Sequence, residues 1–367
     1  MATDEQLGAI RARIDAIDTQ LLELISERAK CAQEVAAVKL EASRLVAEEV
    51  PLFYRPEREA QVLRAIQDRN SGPLPSDYVA RIFREIMSSC LALEQPLTVA
   101  YLGPPGTYTQ AAARKHFGQS AIQETHKSIA AVFRQVEERR CDFGIVPVEN
   151  STEGMVGQTL DCFLESSVKI VGEVELPVIH HLFVGEKTGS GPLSCVTGHP
   201  QALAQCRIWL DTNLPTVVRE DAPSNGEAAR RASEEEGVAA IAGDLAAEMY
   251  PLVCRSSSIQ DYASNTTRFL VLGNDFVPPS GVDKTSVLIA SRNRPGALLN
   301  LLRPFEEAGI SLTRIDSRPS KTEKWTYVFF IEFEGHLDDE VVANIMKELE
   351  EQSIMLKRLG SYPRAPL

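Results

Sequence analysis

Leu7, Ile10, Ile14, Ile17, Leu21, Leu24, Cys31, Val35 and Val38 recur at three- or four-residue spacing. This heptad-like stripe predicts one long amphipathic helix, roughly 50 Å long at 1.5 Å per residue. A helix of that length cannot fold back on itself, so the stripe predicts packing against a second chain. A loop is expected over 41–54. Pro56, with Glu57 and Glu59 behind it, suits the first turn of a second helix. The SGPLP break at 71–75 precedes a third helix, capped by Ser76 or Asp77 and running to about Gln95.

The texture changes at Pro96. Apolar strand-like runs at 97–102, 143–148, 168–173, 238–242 and 269–272 alternate with helical stretches at 110–117, 155–164 and 201–210. That alternation predicts an α/β unit with a mostly parallel sheet. After a Pro/Gly linker at 276–283 come a strand (285–290), a helix (297–308), two strands (310–317 and 327–334), a helix (338–352) and a short strand (355–360). The β-α-β-β-α-β order predicts a ferredoxin-like α+β fold. The pattern divides the chain into an all-helical domain (1–95), an α/β domain (97–273) and a ferredoxin-like domain (284–362).

Composition narrows the partners. The net charge is −13, which disfavours nucleic acid and anionic membranes. The first residues carry charge and no apolar run, and no stretch of about 18 apolar residues occurs, so a cytoplasmic protein is expected. The seven cysteines include no C-x-x-C pair, so neither a disulfide framework nor a metal centre is predicted. No cofactor is expected.

Arg28 and Lys39 are eleven residues apart, within about 20° of one helical face, so both can reach one small dianion. Arg11 lies roughly 25 Å from Arg28 along the axis and can serve only another subunit's site. With the Arg58-Glu59 pair and two third-helix positions four apart, Cys90 and Glu94, this spacing resembles the all-helical chorismate mutase family. The resemblance implies an interlocked dimer that binds chorismate. Arg11 from the partner and Arg28 clamp carboxylates, Lys39 donates to the ether oxygen, Glu59 holds the substrate hydroxyl and Arg58 supports the wall. The chain departs from the family's usual pattern at Arg55 (often Asp), Cys90 (often Ser) and Glu94 (often Gln). A carboxylate at Glu94 would repel the ether oxygen, so Glu94 must be protonated to act there, with its pKa raised by burial.

In the middle unit, Gly103-Pro-Pro-Gly-Thr-Tyr108 joins a strand to a helix, where backbone N–H groups favour an anion. It lacks the lysine of a nucleotide-binding P-loop. Val146-Pro-Val-Glu-Asn-Ser151 lies at a strand's C-terminal end, where α/β folds bind ligands; Ser151 or Thr152 also suits a helix cap there. Asn265-Thr-Thr-Arg-Phe269 opens another strand. In this order, with Gly198-His-Pro-Gln201 between the last two, the segments resemble prephenate dehydratase. The resemblance implies two lobes hinged about a cleft, like a periplasmic binding protein. Thr267 assists the leaving hydroxyl, Asn150 and Ser151 bind prephenate, Arg268 steadies a carboxylate or the cleft, Glu149 is the nearest candidate acid and Gln201 lines the site.

Residues 284–362 resemble the ACT regulatory domain through Arg294-Pro-Gly-Ala-Leu298 and Leu312-Thr-Arg-Ile-Asp-Ser-Arg-Pro319. The resemblance implies that Gly296, Ala297, Leu298, Asp316, Ser317, Arg318 and Pro319 bind L-phenylalanine where two such domains meet. Together the three pieces resemble the bifunctional mutase–dehydratases of phenylalanine biosynthesis, homodimeric or larger. The alternatives are a dehydratase with a decayed mutase, motivated by Arg55, Cys90 and Glu94, and a non-catalytic amino-acid sensor.

Overall fold

The computed structural model describes residues 2–46, 53–262, 264–291, 294–319 and 327–366. Helix α1 (Ala2–Val46) is continuous for 45 residues, longer than the stripe alone predicts. Residues 41–46 are Glu, Ala, Ser, Arg, Leu and Val, without Gly or Pro to stop the helix. The rest of the expected loop, 47–52, lies outside the described residues. Helices α2 (Pro56–Arg69) and α3 (Ser76–Glu94) complete the domain. Neither expected cap closes α3: Pro75 holds the cap position. The Ser76 hydroxyl instead accepts from Asn70 Nδ2 (3.2 Å) and donates to the Gln67 carbonyl (3.4 Å). From Leu7 to Val38, the stripe residues Leu7, Ile10, Ile14, Ile17, Leu21, Leu24, Val35 and Val38 are 47–66% exposed. That is a continuous apolar face that the described residues of its own chain leave uncovered.

The first lobe holds β1 (Thr98–Leu102), α4 (Tyr108–Phe117), β2 (Ile122–His126), α5 (Ile129–Glu137), β3 (Phe143–Asn150), β4 (Gly154–Met155), α6 (Gly157–Glu165) and β5 (Lys169–Pro177). The chain then crosses to a second lobe of β6 (His181–Gly185), β7 (Cys195–Gly198), α7 (Pro200–Gln205), α8 (Arg207–Asn213), β8 (Val218–Asp221), α9 (Asn225–Glu234), β9 (Val238–Ala242), α10 (Asp244–Met249) and β10 (Leu252–Ser256). It returns as β11 (Thr266–Gly273), which inserts between β3 and β5 of the first sheet, giving the order β2-β1-β3-β11-β5. Strand β11 runs antiparallel to both neighbours, and β6 runs antiparallel to β9 and β10. The sheets are therefore mixed, not mostly parallel. A chain that leaves a lobe and comes back must re-enter from the hinge side, which reverses the strand. Strands β2, β4, β6, β7, β8 and β10 go beyond the sequence expectation; each has only two to five residues, which gives a weak period.

The last domain runs β12 (Asp283–Ala290), α11 (Ala297–Glu307), β13 (Leu312–Pro319), β14 (Tyr327–Glu334), α12 (Glu340–Gln352) and β15 (Met355–Pro363), with sheet order β13-β14-β12-β15. This is the expected β-α-β-β-α-β order. Its two helices pack on one face through Leu301, Phe305, Val342 and Leu349. Its other face lies on the first lobe: Leu288, Phe330 and Leu359 share one core with Val146, Ile170, Leu270 and Leu272. Gly360, at φ +150°, makes that approach possible, because a Cβ there would stand 2.2 Å from the Ile170 carbonyl oxygen.

Candidate active sites

In the helical domain, Lys39 Nζ donates to the Phe53 carbonyl at 3.3 Å and lies 5.4 Å from the Phe53 ring centre. It opens into a cavity of about 780 Å³ lined also by Tyr54, Arg55 and Glu57, and by Arg139 and Asp142 of the first lobe. Glu94 ends α3 within the field of Lys39 and Arg28. Burial raises its carboxyl above the usual carboxylate range, and the two cations pull it part of the way back. The structure thus brings Arg28, Lys39 and Glu94 together, with Cys90 buried one turn before Glu94 on the same helix. Arg11 is exposed far along α1.

Two expectations change here. Glu59 faces away from Lys39: it accepts from Arg84 Nε at 3.1 Å. Its carboxyl is raised, chiefly by burial, with Arg84 and the Tyr54 hydroxyl opposing. Glu57, paired with Arg55 at 2.6 Å, is the carboxylate of α2 that lines the cavity. Residues two apart are about 200° apart on a helix, so Glu57 and Glu59 cannot share a face. Arg58 is exposed and does not line the cavity.

Between the lobes, Asn150 and Thr267 are register partners on β3 and β11. Asn150 Oδ1 accepts from Thr152 N (3.0 Å), Thr152 Oγ1 (2.6 Å) and Glu153 N (3.3 Å). Those donors fix the amide's orientation, so Nδ2 donates to Thr267 Oγ1 (2.8 Å) and Asn265 Oδ1 (2.9 Å). Asn265 Nδ2 donates to Gln205 Oε1 at 3.0 Å, and His180 Nε2 reaches the same oxygen at 2.8 Å. Burial lowers the His180 pKa, and its Nδ1 faces the Tyr108 hydroxyl at 3.1 Å. A polar chain therefore runs from Thr267 through both crossings to the second lobe. Gly106 and Gly226 bring the lobes into backbone contact, since a Cβ on Gly226 would meet the Pro105 carbonyl oxygen at 2.2 Å.

Several assignments move. Arg268 is buried on the opposite face of β11, where Nε donates to Glu173 at 2.8 Å and Nη2 to Glu332; it steadies no part of the cleft. Glu149 bonds the Arg314 guanidinium on that same opposite face, which removes it as the acid. Consecutive strand residues point to opposite faces, so Thr267 with Arg268, and Asn150 with Glu149, cannot both face the cleft. The Ser151 hydroxyl accepts from Thr266 N (2.9 Å) and donates to the Ser264 carbonyl (3.2 Å), clasping the strands. It caps no helix; nor does Thr152, since Val156 holds the α6 cap position. The α7 residue that reaches the cluster is Gln205, one turn beyond Gln201. Asn265, Gln205, His180 and Tyr108 are the residues that sequence reasoning missed. Asn265 and Tyr108 lie inside the quoted segments, which give them no role; Gln205 carries no sequence signal.

In the last domain a cavity of about 250 Å³ is lined by Ser291, Arg294, Gly296, Ala297, Leu298 and Tyr327, among others. Asp316, Ser317, Arg318 and Pro319 do not line it. They lie on β13, where Arg318 pairs with Asp316 at 3.7 Å and its guanidinium covers Gly157 at the start of α6. For metals, Glu124, His126 and Cys141 bring ligand atoms within 4.8 Å of one another. However, burial and the Glu124 carboxylate push the Cys141 thiol up to about 12, and its Sγ donates to Glu124 at 3.6 Å, so the group reads as a thiol–carboxylate contact.

Comparison with known proteins adds three family matches in order: chorismate mutase type II over 10–95, prephenate dehydratase over 99–276 and the ACT domain over 285–351. The chain is 55% identical over 367 residues to the bifunctional chorismate mutase/prephenate dehydratase of Pseudomonas aeruginosa, covering 100% of both proteins. The crystal structure of the Arthrobacter aurescens prephenate dehydratase in complex with L-Phe matches at a TM-score of 0.68 and 31% identity, over 73% of this chain and 90% of that one. A structure described as a novel type of quorum quenching acylase matches at a TM-score of 0.66 and 27% identity, over 73% of this chain and 98% of that one.

Proposed function

This chain belongs to the family of bifunctional chorismate mutase/prephenate dehydratases, and we propose from that premise that one polypeptide converts chorismate to prephenate and prephenate to phenylpyruvate. Phenylalanine, made from that product, closes the loop by binding the ACT domain.

The mutase step is a pericyclic shift without a nucleophile or base. It needs the dianion held in its reactive shape and donors at the breaking ether bond. Arg28 takes one carboxylate, Arg11 of a second copy takes the other, and Lys39 and protonated Glu94 donate to the ether oxygen. The bare apolar face of α1 supports the second copy.

In the dehydratase step the bond to the ring carboxylate breaks and CO₂ leaves. The electron pair enters the ring and expels the hydroxyl opposite, and the ring becomes aromatic. The observation that carries this reading is the hydrogen bond from Asn150 to Thr267. It occupies the Thr267 oxygen as an acceptor and leaves the hydroxyl proton free to donate to the departing oxygen. The binding-protein-like lobes close around the substrate. Cytoplasmic placement rests on the seven cysteines, all free, which suits a reducing compartment; among the described residues no helix is long and apolar enough to cross a membrane.

Pure enzyme incubated with chorismate should release phenylpyruvate. Accumulation of prephenate would remove the dehydratase assignment, and unconsumed chorismate the mutase assignment.

A further inference from the structure

Four buried charges join the regulatory domain to the first lobe. Arg268 and Glu173 come from the lobe, Lys284 and Glu332 from the regulatory sheet, and all are at most 9% exposed. Arg268 donates to both carboxylates, and Lys284 reaches Glu173 at 3.0 Å and Glu332 at 3.6 Å. The Tyr362 hydroxyl closes the ring by donating to Glu332 at 2.9 Å. Each domain supplies one cation and one anion, so the ring is neutral and each half is neutral alone.

Its position suggests more than adhesion. Arg268 directly follows Thr267, and Glu149 directly precedes Asn150; the two pairs lie opposite one another in register. The regulatory partners of this pair trace to consecutive residues of β13. Thr313 Oγ1 donates to Glu332 Oε1 at 2.7 Å. Arg314 bonds Glu149 and sets Nη1 2.8 Å from Met155 Sδ. The same strand pairs with Tyr327 and Phe329 of β14, which line the cavity of about 250 Å³.

We propose that Thr313 and Arg314 are positioning residues that carry the ligand state of the regulatory domain to Thr267 and Asn150, Thr313 through Glu332 and Arg268, and Arg314 through Glu149. This rests on the reading that L-phenylalanine binds that domain. A strand is stiff along its length, so a displacement of β13 shifts Arg268 and Glu149. Their backbones are those of the catalytic pair one residue away. Hydrogen bonds weaken steeply with angle, so a small tilt of Thr267 is enough to misdirect its proton. An effector can do this only by favouring the tilted arrangement over the active one.

The test uses the full chain with Thr313→Val and Arg314→Gln, singly and together. Calorimetry reads L-phenylalanine binding, and phenylpyruvate formation reads activity. Allosteric coupling usually amounts to about 5- to 150-fold and is reciprocal. In the wild type a competitive dehydratase inhibitor should weaken phenylalanine binding by the factor by which phenylalanine weakens binding of that inhibitor. In the double variant both effects should shrink to within about twofold, with phenylalanine still binding and Thr313→Ser restoring the Thr313 share. Inhibition equal to wild type in variants that bind phenylalanine would overturn the route. Loss of phenylalanine binding in the variants would also overturn it, by making these residues part of the binding site. A wild type that binds no phenylalanine would instead defeat the effector reading, and this proposal with it.

Discussion

Asn150 donates to Thr267 across the β3–β11 pair at 2.8 Å, and three donors on its other amide atom prevent it from turning over. Thr267 is therefore held as acceptor to the protein and donor to the cleft. Thr267→Val should lower dehydratase kcat by about 10²- to 10³-fold, the usual cost of one transition-state donor, and leave mutase kcat unchanged. Asn150→Asp should do similar damage, because a carboxylate takes the Thr267 proton for itself. Steady-state kinetics on prephenate check both, and a Thr267→Val enzyme of near-normal rate would remove the hydroxyl from the mechanism.

Glu94 predicts a pH dependence confined to the mutase. Its pKa is raised by burial, and the protonated form is the active one, so activity falls as pH rises through that raised pKa. Glu94→Gln supplies a permanent donor and should flatten the alkaline limb. Mutase kcat/KM against pH for the two proteins decides it; superimposable profiles would place Glu94 outside the site.

Arg11 and Arg28 should complement each other between subunits. Arg11→Ala and Arg28→Ala homo-oligomers should each lack mutase activity. Mixed oligomers should regain it in about one site of two, since a site takes each arginine from a different chain. No recovery despite demonstrated subunit exchange would mean the site lies within one chain.

His116 ties stability to pH. Burial, and then Arg84, hold its pKa down to about 3, whereas in the unfolded chain it lies near 6.5. Between those values the unfolded state takes up a proton that the folded state refuses. Its contribution is therefore intact above about pH 6.5 and lost at about 1.4 kcal/mol per pH unit as the solution is acidified towards pH 3. His116→Gln, which keeps a partner for the Tyr54 hydroxyl, should lose less stability than wild type between about pH 7 and pH 5 in urea unfolding.

Where Thr267, Arg28 and Lys39 lie could be read directly, because their segments and spacings belong to one strand end or one helix. Arg268, Glu149 and Glu59 could not. Arg268 and Glu149 each adjoin a proposed site residue, Glu59 lies two residues from the cavity-lining Glu57, and which of them faces the site depends on what covers the other face. For β3 and β11 that cover is a domain more than a hundred residues away in sequence for β3, and for Glu59 it is Arg84 on the next helix. Gln205 enters from the other lobe, so only the closure of the two lobes reveals it.

The core that Leu288, Phe330 and Leu359 share with Ile170, Leu270 and Leu272 changes what cutting the chain can accomplish. A protease that nicks the 274–282 connector leaves that shared core in place, so both fragments should elute together from a sizing column and keep their activity. Deleting everything beyond Asp283 is a different operation. It bares one side of the sheet that carries Thr267 and leaves Arg268 with Glu173 alone. Such a shortened enzyme should be recovered as aggregate, so insensitivity to an effector is better sought by point substitution than by truncation.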